Sequence, residues 1–115
     1  MRKNVNIRDP GDIKIIDLKG KITIGAGDLQ MREAIHEDLA SGAGKLLVNL
    51  KEVTTIDSTG IGELVGCYTT ASKKGAELKL VNLPEKITDV LMVTKLITVF
   101  TIFADEEEAI KSFGG

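Results

Sequence analysis

Apolar residues along the chain fall into strand-like and helix-like groups in turn. Val5 and Ile7 alternate with polar neighbours, and Asp9-Pro10-Gly11-Asp12 supplies a turn cluster. Ile13, Ile15, Ile16 and Leu18 follow. Their alternation slips between Ile15 and Ile16, which predicts either a bulge or a strand buried on both faces. Two strands joined by a tight turn make an antiparallel hairpin at the start of the chain. Gly20 to Gly27 reads as a glycine-rich connection. It is no phosphate loop, because the lysine and Ser/Thr of that motif are missing. Asp28 is placed to cap a helix whose apolar face is Met31, Ala34, Ile35 and Leu39, with Arg32, Glu33, Glu37 and Asp38 outside; Gly42 and Gly44 stop it.

The run 45–50 is short and apolar, a buried strand. Ile61, Leu64, Val65, Tyr68 and Ala71 then recur at helical spacing, predicting a helix that runs to about Lys74 and ends at Gly75. A strand at 77–81 follows. Pro84 suits a first helical turn, and Ile87, Val90 and Leu91, with Leu96 beyond them, give a third amphipathic stretch. Residues 99–103 read as the last strand. Asp105, with Glu108 three residues on, resembles a capping box, and Ile110 and Phe113 would dock the final helix. The order β-β-α-β-α-β-α-β-α predicts an α/β fold, a mixed and mostly parallel sheet with about four helices packed on it, in a single domain over 1–115.

Bulk properties narrow the functional classes. The chain has 115 residues, 43% of them apolar and 28% charged, as in a globular domain that needs no disulfide or metal staple. Net charge is −2 and basic runs are absent, which argues against a nucleic-acid or membrane surface. Met1-Arg2-Lys3-Asn4 leads into no signal segment, and uncharged runs are too short to span a bilayer, so a cytoplasmic location is expected. Cys67, the one cysteine, lies within the helix that follows position 57 and reads as a small apolar filler. His36, the one histidine, falls near a polar helix edge and has no Ser, Cys or metal-ligand partner beside it in sequence. No cofactor motif or metal cluster is present, and Ser58 sits in no Gly-x-Ser-x-Gly elbow because position 56 is isoleucine; catalysis is not expected.

Asp57 and Ser58 fall where the 45–50 strand's exit loop becomes a helix. Either side chain can cap the first turn, and capping by itself accounts for both residue types. A phosphate on Ser58 would also be tolerated there, because helix N-termini favour negative charge. Beyond them, Gly62, Gly66 and Thr69 form a stripe opposite the apolar face. Glycine inside a helix costs about 1 kcal/mol relative to alanine, so something is expected to pack closely against the stripe, either a partner or a neighbouring helix of the same chain.

The segment Asp57-Ser58-Thr59-Gly60-Ile61-Gly62 resembles the signature of the STAS domain family, the anti-sigma factor antagonists, and the order of elements agrees along nearly the whole chain. The resemblance implies that Ser58 is the phosphorylated residue, with Thr59 as the adjacent alternative. It implies an anti-sigma factor that is itself a serine kinase, which binds the unmodified form and releases its sigma factor, and a phosphatase that reverses the modification. The expected partner surface is the 50–62 region with Asp57, Ser58, Thr59, Gly60, Gly62, Gly66 and Thr69. Where family members often carry an acidic residue after Gly-x-(Leu/Ile), this chain has Thr23. STAS domains also form tails of membrane sulfate transporters; the free regulatory form, with no transporter attached, is expected here. A stressosome-type scaffold module or the STAS subunit of an ABC lipid-transport complex is the alternative.

Overall fold

The computed structural model describes residues 3–114. Over these residues the order is β1 (Val5–Arg8), β2 (Lys14–Ile22), α1 (Asp28–Ala40), β3 (Lys45–Ile56), α2 (Ser58–Lys73), β4 (Glu77–Val81), α3 (Glu85–Val93), a 3-10 turn (Leu96–Thr98), β5 (Ile102–Phe103) and α4 (Glu106–Gly114). The strands form one sheet in sequential order. β1 pairs antiparallel with β2, and β2 to β5 run parallel, as the hairpin followed by strand–helix–strand units requires.

The sheet is buried on both sides, unequally. α1, α2 and α3 lie on one face, where Met31, Ile35, Leu64, Cys67, Ile87 and Leu91 join Ile16, Leu46, Val48 and Leu80. α4 takes the other face, where Ala109 and Phe113 cover Ile13, Ile15, Leu47 and Val81. The slip at Ile15-Ile16 therefore marks a strand buried on both faces: both side chains are fully buried and point into different clusters. Arg8 anchors the α4 side. Its guanidinium reaches Asp17 (Nε–Oδ2 2.6 Å) and, in the first turn of α4, Glu106 (Nη2–Oε1 2.7 Å).

Element limits differ from the sequence expectation at several strand and helix ends. β2 continues through Gly20 to Ile22, into the stretch read as a connection. β3 continues to Ile56, so most of the 50–58 stretch is strand and not loop. The cause is irregular pairing. Between Asp17↔Asn49 and Lys19↔Glu52, β2 advances two residues while β3 advances three. That spaces the buried Leu50 and Val53 three apart and erases the strand period. At the other end, α3 stops at Val93, Lys95 turns left-handed (φ 65), and a 3-10 turn leaves only Ile102–Phe103 as strand. Phe100 is buried outside that strand, its ring edge-on to Tyr68 at 5.3 Å. Pro84 occupies the N-cap of α3, one residue before its first turn. Asp28 makes no cap bond for α1. It is buried within the helix start and accepts from the Gly25 amide (3.1 Å).

Candidate functional site

β2 and β3 deliver their C-terminal ends side by side, with Lys21 opposite Thr55 and Ile22 opposite Ile56. The 23–27 connection and the start of α2 therefore meet at one edge of the sheet, the edge where open parallel sheets carry their functional loops. Only Asp57 separates β3 from α2. It is extended (φ −109, ψ −177), and its carboxylate caps the helix by accepting from the Gly60 amide (Oδ1, 2.8 Å). The other oxygen accepts from the Ile24 amide across the junction (Oδ2, 3.0 Å). These amides, Ile24 first and then Gly60, hold the Asp57 carboxyl below the usual carboxylate range, because hydrogen bonds to the ionised form favour it.

With Asp57 capping, Ser58 is released from that task. It is the first residue of a 16-residue helix and exposed, and its hydroxyl makes no hydrogen bond to another described residue. Thr59 is half-buried beside it. Gly60 is buried, and a methyl group there would collide with the carbonyl oxygen of Ile22 and crowd the Ile56 side chain. Its role is to let β2 and α2 approach closely; it lies beneath the surface where a partner contact was expected. Gly62, Gly66 and Thr69 are exposed, and a methyl group added at either glycine would meet nothing within 4 Å. No helix of this chain packs on the stripe among the described residues, so the internal alternative falls.

Other candidate chemistry lies elsewhere. His36 is exposed on α1. Cys67 is buried in α2 and its thiol is pushed up to about 12, by burial first and then by the charge of Glu63, so it holds its proton. Among the described residues no group of three His, Cys, Asp or Glu side chains could hold a metal ion, and no helix is long and apolar enough to cross a membrane. The contact that sequence reasoning missed is Ile24–Asp57. The glycines mark positions 20–27 as a turn, but nothing in the spacing connects a backbone amide to a side chain 33 residues away.

An exposed hydroxyl at a helix start, at the C-terminal edge of a mixed five-stranded sheet with helices on both faces, describes a small α/β domain. Comparison with known proteins makes this class particular. The chain belongs to the STAS domain family, which matches residues 4–109. It is 30% identical over 111 residues to the anti-sigma-B factor antagonist of Bacillus subtilis, spanning 96% of this chain and all of that one. A candidate anti-sigma factor antagonist of Thermotoga maritima superposes with a TM-score of 0.87 at 24% identity, over 94% of this chain and 92% of the other. The phosphorylated form of SpoIIAA, a Bacillus cell fate determinant, does so with a TM-score of 0.73 at 22% identity, over 95% and 98%.

Proposed function

We propose that this protein is an anti-sigma factor antagonist switched by phosphorylation of Ser58. The unmodified form binds an anti-sigma factor that is also a serine kinase and so frees the sigma factor; transfer of phosphate to the Ser58 hydroxyl ends binding, and a phosphatase restores it. The observation that carries this reading is the division of labour at the junction. Asp57 supplies the cap, so capping explains the aspartate and leaves unexplained the Ser58 hydroxyl, exposed and without a hydrogen bond among the described residues. Ser58 also stands at a helix start, where a phosphate of about −1.5 to −2 charges is electrostatically acceptable. The relatives support the partner: the B. subtilis protein is named for an anti-sigma factor, and SpoIIAA, of the same fold, has been determined in both phosphorylated and unphosphorylated forms. Asp57, Thr59, Gly62, Gly66 and Thr69 are the neighbouring groups that a partner covering Ser58 would meet.

The test is capture of the tagged chain from its own cells, followed by intact mass spectrometry before and after phosphatase treatment. The expected result is a co-purifying serine kinase and one phosphate, absent from Ser58→Ala. Full labelling of Ser58→Ala would overturn the site. An ABC-transporter ATPase in place of the kinase would overturn the partner.

A further inference from the structure

The turn after β2 is hydrogen-bonded to the Ser58 junction through a single carboxylate. Thr23 and Ala26 exchange backbone hydrogen bonds (2.8 and 2.9 Å) around Ile24 and Gly25, with Gly25 at φ 76. The Gly25 amide goes to Asp28. The Ile24 amide is left pointing out of the turn, and it donates to Asp57. Among the described residues this is the only hydrogen bond from residues 23–26 to the β3–α2 junction. Packing of the Ile24 side chain does not substitute for it, because that side chain is 72% exposed.

We propose that Asp57 is a positioning residue: one oxygen caps α2, the other holds the 23–26 turn, and the turn and the Ser58 hydroxyl are thereby presented to the anti-sigma factor as one fixed surface. The inference rests on the phospho-switch reading of Ser58 and adds to it a residue that acts through two others. The two donors meet different oxygens, Ile24 at Oδ2 and Gly60 at Oδ1, so the two tasks can be removed separately. The bond is strongest to the ionised carboxylate, because protonation turns one oxygen into a hydroxyl and removes the charge. The Ile24 and Gly60 amides hold the Asp57 carboxyl below the usual range, so the latch is at full strength above the ordinary aspartate range and weakens as pH falls through the lowered value.

Two variants separate the tasks. Asp57→Ser keeps a good helix cap and removes the oxygen that faces Ile24. Ile24→Pro keeps carboxylate and cap and removes the donor; proline suits the second position of a turn whose third residue is a glycine with positive φ. In Asp57→Ser, amide exchange at Ile24 should rise about tenfold, the scale of one hydrogen bond to a charged group, while Gly60 stays protected. In the wild type, the Ile24 and Gly60 amide resonances should follow one acidic titration, absent from Asp57→Ser. Both variants should bind the kinase captured above about tenfold more weakly. Unchanged Ile24 exchange in Asp57→Ser, or wild-type affinity in both variants, overturns the positioning role and leaves Ser58 as the switch. A wild-type chain that takes no phosphate at position 58 overturns the underlying reading, whatever the exchange shows.

Discussion

Asp57 and Ser58 are adjacent, yet their side chains have opposite environments: one carboxylate with two amide donors, one hydroxyl with none among the described residues. Beneath them Gly60 sets how closely β2 and α2 can approach. Gly60→Ala should destabilise the protein by about 1–3 kcal/mol, because its methyl group meets the backbone of Ile22, which cannot swing aside as a side-chain end can. For a domain of this size each kcal/mol lowers Tm by roughly 4 °C. Gly62→Ala, two residues on and facing open space, should instead stabilise by up to about 1 kcal/mol. Thermal melting of the pair checks this; equal effects would contradict the packing described here. At this scale the sequence revealed what is local. The Asp-Ser pair before a helical pattern is legible because a cap and its helix are contiguous. The burial of Gly60 and the Ile24 contact depend on which strand lies beside β3, and no short window of sequence contains that.

α2 carries the site on its first turn and an open stripe, Gly62, Gly66 and Thr69, along its outer face. Gly66→Leu adds bulk where there is room and replaces a poor helix former with a good one. Stability should hold or rise by up to about 1 kcal/mol, while affinity for the anti-sigma factor falls. Circular dichroism with a melting curve, beside a binding titration, reads both; unfolding, or unchanged affinity, would contradict this. The elements themselves were legible where their period was regular. The apolar faces of α1 and α2 stand as spaced. The strand pattern of β3 breaks after Leu50 because one extra residue in its pairing with β2 pushes Val53 out of phase. The apolar pattern at 99–103 is longer than the strand because Phe100 packs on Tyr68 and the helix-side core and takes no place in the sheet.

For the molecule as a whole, the switch should act at the interface and leave the fold intact. A phosphate on Ser58 gains roughly 0.3–1 kcal/mol from the α2 dipole. Repulsion from Asp57 opposes it, and solvent screens both because the site is exposed. The phosphorylated protein should therefore melt within about 5 °C of the unmodified one. A large drop would mean that the switch works by unfolding. The α4 side of the sheet, tied by Arg8 to Asp17 and Glu106, lies across the sheet from the helix layer that holds α2, and it should keep the same amide protection in both forms. A partner that covers a neutral hydroxyl faces a different balance. It must desolvate a dianion and accommodate its volume, and like charges across an interface cost several kcal/mol. Titration calorimetry of the anti-sigma factor against unmodified and phospho-Ser58 protein tests this directly. Tight binding of the first form and a loss of about a hundredfold or more in the second are expected; equal affinities would contradict a switch at the interface.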